Sequence, residues 1–420
     1  MAAATYNPTT AVDDLNKLYR KVQGTLVEGM NFHSEEYDMM SDLEDYRIDW
    51  SAREITTPVD LNEGAGVASI PEGGYEAVPS SPTVDEITLS WILLNKRFTA
   101  TLTSRYIDQR SRGAMLRRQI VHQGKKAIQA LAAQVSDYFY GFSTGVLALT
   151  SAGQAADTSH TIELVDGYGQ AGIDTASFLV DKFKVGERVA LVQGGSLVTN
   201  AIGTVTARSK SAGTIDVTWG GSVTITAADE VVKANSQENT SLAGTDYNRG
   251  LVGLLEMATA ASVHNLTHEN WEAAVEDASS TAFATEDLQL VAQEINDQGG
   301  GKLTDILTTP GVKRKIISTV SNNLRFTDAF NLQLDADIKA AGVKIKTTRR
   351  VPPKHLFGFD RKSIRKMVLL KRPMEGDAPM WEDGVKIPDR SAMVFSIDFP
   401  MQTVVLNRRN IALYSNLDEL

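Results

Sequence analysis

The sequence contains no cysteine. That absence excludes disulfides, cysteine-ligated zinc, iron–sulfur clusters and thiol nucleophiles together. No stretch approaches the ~18 consecutive apolar residues of a membrane span. The opening MAAATYNPTT has neither the basic nor the apolar region of a signal peptide. Positive charge is in deficit: 42 Lys and Arg against 52 Asp and Glu leave a net charge of -10. Such a balance argues against a chain that grips nucleic acid over its whole surface. The expectation is a soluble protein outside the membrane, made in a reducing cytoplasm or indifferent to redox state. What is abundant is apolar material, 42% of 420 residues, enough for two or three compact units.

Charge and pattern change along the chain. A short helical pattern (Val12, Leu15, Leu18, Tyr19, Val22) stops at Gly24. The stretch from Glu28 to Asp49 is acidic, with Glu35, Glu36, Asp38, Asp42, Glu44 and Asp45 against Arg47. Two β-branched runs, REITTPVDL and PTVDEITLSWILLNKRFTATLT, flank the Gly- and Pro-rich NEGAGVASIPEGGYEAVPSSP. They read as an extended hairpin whose tip needs a partner to lie on. From Ser104 to Phe142 an uninterrupted helical pattern of nearly forty residues implies a helix on the order of 50–60 Å long. Its front half is basic, with Arg105, Arg110, Arg112, Arg117, Arg118, Lys125 and Lys126.

TSAGQAADTSHT then reads as a polar linker, followed by short alternating strands (GERVALVQ, VTNAIGTVTARS, GTIDVTW, SVTIT, EVVKA) typical of a small barrel or compact sheet. THENWEAAVEDAS and TEDLQLVAQEINDQGGG read as helices, KLTDILTT as a strand, and Pro310 as the start of a further helix. Strands follow to the end, with SAMVFSIDF and QTVVLNRRNIALYS expected to pair antiparallel across Pro400.

The catalytic signatures fail on context. Gly141-Phe-Ser143-Thr-Gly145 fits a nucleophile elbow in letters, but it follows a long helix and no helix follows it. Gly167-Tyr-Gly169-Gln-Ala-Gly172 fits a dinucleotide fingerprint. The next helix, however, starts at Asp174 or Thr175, and the second strand ends at Gln193 without a carboxylate. His264 and His268 have zinc spacing, yet Thr267 reads as a helix cap that leaves His264 outside. Gly299-Gly300-Gly301-Lys302 lacks the spacing of a phosphate loop. No enzyme, cofactor or metal is expected. A second basic run extends from Lys344 and Lys346 through Arg349, Arg350, Lys354, Arg361, Lys362, Arg365 and Lys366 to Arg372. The acidic Glu28–Asp49 stretch is its natural complement.

The order of these pieces resembles the major capsid protein of tailed bacteriophages. PEGGYEAVPSSPTVDEITLSWILLNKRFTATLTSRYID is similar to that family's hairpin return strand running into its spine helix. DILTTPGVKRKIISTVSNNLRFT is similar to the axial strand–helix pair, and RRVPPKHLFGFDRKSIRKMVLLKRP to the strands after it. The resemblance implies an α+β capsid fold with an N-terminal arm (1–50), extended hairpin loop (51–103), peripheral-domain spine helix (104–150), axial α/β domain (248–390) and closing strands (391–420). Residues 151–247 then form an inserted β-barrel-like domain outside the minimal fold. It further implies a homo-oligomeric shell of hexamers and pentamers in a virion, around double-stranded DNA contacted weakly. A portal is an implied partner, as is a separate scaffolding protein if the sequence is the full gene product.

Expected assembly contacts are Gly64, Gly66, Pro71, Gly73, Gly74 and Tyr75 of the hairpin tip, Arg105, Arg112, Arg117 and Arg118 of the helix, and Glu35, Glu36 and Asp38 of the arm. A cellular nanocompartment shell of the same fold is one alternative. An α/β enzyme using the glycines at 167–172 is the other.

Overall fold

The computed structural model describes residues 35–43, 46–49, 54–62, 83–90, 92–101, 114–141, 145–165, 175–194, 196–234, 250–267, 271–278, 285–323, 339–340, 342–368, 380–386 and 392–419. They divide between two compact units: Met1–Asp42 with Trp91–Ser136 and Lys366–Gln402, and Leu43–Ser90 with Asp137–Arg365 and Thr403–Leu420.

In the first unit, Ala392–Val405 is the common strand of a five-stranded sheet, paired with Ile364–Val368, Met380–Lys386 and Ile92–Thr101. Met393, Phe395, Ile397, Phe399 and Met401 are all fully buried. That period-two burial runs straight through Pro400, which sits opposite Leu93 in the ladder. The expected antiparallel pairing across Pro400 is therefore corrected: both runs join in one strand, because burial outweighs proline's tendency to punctuate. The long helix is Ala114–Phe139. It buries Ala127, Ile128, Leu131, Ala132 and Val135, the i, i+4, i+7 spacing of one helix face. Gly113 and the residues before it lie outside the described set.

The second unit holds three sheets. The hairpin strands Glu54–Asn62 and Thr83–Ser90 pair antiparallel from Glu54↔Ser90 to Asn62↔Thr83. The return run was expected to be one long strand; its first part, Thr83–Ser90, pairs with Glu54–Asn62, while Ile92–Thr101 pairs with Ala392–Val405 instead. A six-stranded mixed sheet has the order Ala274–Asp277, Ile411–Ser415, Leu356–Phe359, Asp305–Thr308, Val343–Thr347, Lys339–Ala340. The helices Thr285–Gly299 and Pro310–Asn323 bury Val291, Ile295, Val312 and Ile316 in one cluster with Ile306, Ile345 and Leu356. Thr309 precedes Pro310, and its hydroxyl accepts from the Val312 N–H at 3.2 Å, an N-cap. The expected helix at THENWEAAVEDAS is a further correction. Its Ala274–Asp277 part is an edge strand parallel to Ala412–Ser415, where sheet pairing overrides a modest local helix preference.

The third sheet closes. Thr214–Ile225, Gln154–Val165, Val146–Thr150, Glu230–Lys233, Arg188–Gln193 and Ser196–Ser209 form a barrel in that order. TSAGQAADTSHT is thus mostly strand rather than linker. Only its last part alternates, His160, Ile162 and Leu164 pointing in, so its polar first half hid it. GTIDVTW and SVTIT are one strand with a register shift between Thr218 and Val223.

Gly203 pairs with Trp219 on the neighbouring strand of the barrel. A Cβ there would lie 2.5 Å from the Trp219 ring and 2.7 Å from the Thr218 carbonyl. The indole N–H donates to His160 Nδ1 at 2.8 Å, and His160 Nε2 meets the Ala155 carbonyl at 2.9 Å. Gly203→Val should therefore cost about 2–3 kcal/mol by overpacking and displace the indole. Thermal melts followed by tryptophan fluorescence would show both, and an unshifted midpoint would refute the close approach.

Candidate assembly surfaces

The segment 35–42 of the acidic stretch is tied down within the first unit. Glu36, Tyr37, Met39 and Met40 are buried. The Ser136 hydroxyl donates to Glu36 Oε2 at 2.6 Å, and the Tyr37 ring meets Phe399 at 5.6 Å. Lys366 completes the anchor. Its ammonium lies 3.7 Å from the Tyr37 ring centroid, donates to the Tyr37 carbonyl at 3.2 Å and stands 3.9 Å from Asp42. A desolvated cation over an aromatic face contributes about 2 kcal/mol, so the lysine holds this segment by more than charge. The expected match between acidic stretch and basic run takes this form: Asp42 with Lys366, inside one chain.

Two further members of the basic run pair in the second unit. Lys346 bonds Asp305 at 2.6 Å. Arg350 bonds Asp137, whose carboxyl is pushed up by burial against the opposing pull of Lys233, Arg350 and Lys182. Lys344, Arg349, Arg361 and Lys362 are exposed.

The other expected contacts are scattered. Gly64, Gly66, Pro71, Gly73, Gly74, Tyr75, Arg105 and Arg112 lie outside the described residues, as do the glycines at 167–172, Ser143 and His268. Arg117 and Arg118 belong to the helix Ala114–Phe139, Glu35 and Asp38 to the short helix Glu35–Met39. Only Glu36 has a described side-chain contact, and it points inward. The helix after the glycines starts at Thr175 and the next strand ends at Gln193, the arrangement that argued against a dinucleotide site. Gly300 takes φ +63° just past the helix Thr285–Gly299, so these glycines end a helix.

No family model and no curated protein matches the sequence. Solved structures do. A cyanophage A-1(L) capsid chain superposes with TM-score 0.51 at 9% identity, over 92% of this chain and 93% of that one. This chain has a tailed-phage capsid fold. Looser likenesses include a Gordonia phage Cozz structure (TM-score 0.43, 9% identity, 91% of this chain and 86% of that one). Another is a virus-like particle from Pyrococcus furiosus (TM-score 0.40, 10% identity, 94% and 98%).

Sequence reasoning missed the polar centre that braces this capsid fold internally. The Arg408 guanidinium is 4% exposed and donates to the carbonyls of Trp271 and Ala258, each at 3.0 Å, and to those of Met257 and Ala260. Three of these four acceptors end the helix Leu254–Thr259, where a cation also complements the dipole. Beside it, His264 Nε2 accepts from the Val405 N–H at 3.1 Å. Nothing in RRN marks the first arginine as the buried one.

Proposed function

We propose that the protein is a structural subunit of an icosahedral bacteriophage head, assembling as hexamers and pentamers into a shell around double-stranded DNA. The observation that carries this reading is the near-complete overlap with the cyanophage capsid chain, 92% of one and 93% of the other. The likeness thus spans nearly the whole length of both chains. In this reading residues 1–50 are the arm, 51–103 the hairpin loop, 104–150 the spine helix, 248–390 the axial domain and 391–420 the closing strands. The closed barrel, whose strand Val146–Thr150 comes from the end of the 104–150 segment, belongs otherwise to an accessory insertion at 151–247 that strengthens contacts around a capsomer. Catalysis has no part in it, and the partners are other copies, a scaffolding protein, a portal and packaged DNA.

Support also comes from how the subunit uses its charge. Tyr37 and Asp42 of the arm are held by Lys366 within the first unit, a structural use of a buried cation.

Negative-stain microscopy of the purified protein, with scaffold supplied, should show closed shells. A strictly monomeric protein at high concentration would overturn the reading. Removing residues 64–80 should leave a folded subunit that no longer closes shells; normal shells from the deletion would refute the hairpin assignment. Particles filled with protein cargo in place of DNA would instead favour a nanocompartment.

A further inference from the structure

The exposed face of the long helix is one-sided in charge. Between Asp108 and Asp137 the sequence has no carboxylate, but it carries Arg110, Arg112, Arg117, Arg118, Lys125 and Lys126. In a protein with net charge -10 this is an unusual segregation, because solvated helices ordinarily mix signs to gain i,i+4 pairs. The helix exposes His122, Lys125, Lys126 and Gln129 while burying Gly124, Ala127, Ile128, Leu131 and Ala132. Arg118 precedes His122 by four residues and so belongs to the same row by helical spacing. Asp137, the helix's one carboxylate, is buried with Arg350. Among the described residues no ion pair involves Lys125 or Lys126.

We propose that this row is a sequence-independent contact for the phosphate backbone of duplex DNA; the assignment rests on the shell reading above and names the surface that meets the packaged genome. Charge spacing fits the occupant. Arg118 lies two helical turns before Lys126, about 12 Å along the axis, with Lys125 beside the latter; duplex DNA offers a negative charge about every 1.7 Å of its own axis, so phosphates fall within reach of each. The row has no Phe, Tyr or Trp to stack on bases, which fits backbone contact rather than base readout or single-strand binding. An acidic segment of another copy is the competing occupant. It is less favoured because the described carboxylates of the arm are engaged: Glu36 with Ser136 and Asp42 with Lys366. Two to four such cations give weak, salt-sensitive binding, consistent with a wall that retains DNA without immobilising it.

The test uses the full-length chain and a labelled random-sequence duplex, with affinity measured by fluorescence anisotropy across a salt series. The double variant Lys125→Ala, Lys126→Ala keeps helix propensity. It should bind about tenfold more weakly at low salt and lower the log–log salt slope by about 1.8, at ~0.9 for each phosphate no longer neutralised. Arg361→Ala with Lys362→Ala, equally exposed, should change the slope little. An unchanged slope in the Lys125/Lys126 variant overturns the proposal, and so does an equal fall in the Arg361/Lys362 control, which would mean diffuse attraction.

Assembly is read separately by microscopy. A Lys125/Lys126 variant that stops assembling but keeps its DNA affinity overturns the proposal in favour of protein carboxylates. A wild-type chain that never forms shells but shows the expected slope change defeats the shell reading and leaves the phosphate contact standing.

Discussion

Replacing Arg408 by alanine should cost at least about 4 kcal/mol and leave little soluble protein. Each unsatisfied buried carbonyl costs roughly 1–3 kcal/mol, and Arg408 serves four, on Trp271, Ala258, Met257 and Ala260. Burial makes the guanidinium easier to deprotonate, while Glu272 opposes that shift. Its stabilising role is therefore hydrogen bonding at least as much as charge, with the helix Leu254–Thr259 left uncapped when it is lost. Arg408→Lys should recover part of the loss, since an ammonium has three donors but cannot span the same fork. Urea titration of the isolated subunit would show this as a midpoint falling in the order wild type, lysine, alanine. An alanine variant within ~1 kcal/mol of wild type would mean that water reaches those carbonyls and the guanidinium is dispensable.

Arg408 also marks the limit of what could be read from the sequence. Apolar, β-branched runs announced most strands, so RVALVQ and AMVFSIDF are strands as expected. Proline and cap chemistry placed the helix from Pro310. These signals are local, and each is written in consecutive side chains. Gln154–Val165 was missed because its first residues are polar on both faces. Ala274–Asp277 was misread because a short edge strand beside Ile411–Ser415 leaves no period of its own. Buried polar centres are least legible of all. Lys366 and Arg408 look like their half-buried neighbours Arg365 and Arg409 until segments far along the chain are brought to them. The order of elements did carry the capsid resemblance, because order survives where individual residues do not: the matched capsid chain shares only 9% identity.

Acid should loosen the subunit well before its carboxylates are fully protonated. Two histidines are buried and held uncharged. His264 is pushed down to about 3, first by burial and then by the Arg408 charge. His355 is pushed down to about 4 by burial, against the opposing bonds from Pro353 and Pro352. In the unfolded chain both take a proton near 6.5. Between 6.5 and 4 the unfolded state therefore binds up to two more protons than the folded one, and stability falls as pH falls, by at most about 2.7 kcal/mol per pH unit. Above about 7.5, where the unfolded histidines are also mostly neutral, neither contributes appreciable pH dependence. Asp137 and Asp229, both raised above 3.8 by burial, act the other way. They take protons more readily folded than unfolded, which softens the loss near its acid end.

The substitutions that isolate the effect follow from the hydrogen bonds. His264 Nε2 accepts from the Val405 N–H, a role a glutamine carbonyl can fill, and His355 Nδ1 bonds the Pro353 carbonyl at 2.7 Å, within reach of an asparagine amide. The variant His264→Gln, His355→Asn should lose some stability at pH 7.5 and most of the slope between 6.5 and 4. Urea midpoints at half-unit pH intervals would display the difference. An identical slope in the variant would show that the acid response lies in other groups. For a shell built from this subunit, the wild-type slope sets a pH below which assembled copies have less folding energy to draw on than at neutrality. Particles of the double variant should accordingly survive at pH 5 where wild-type particles open.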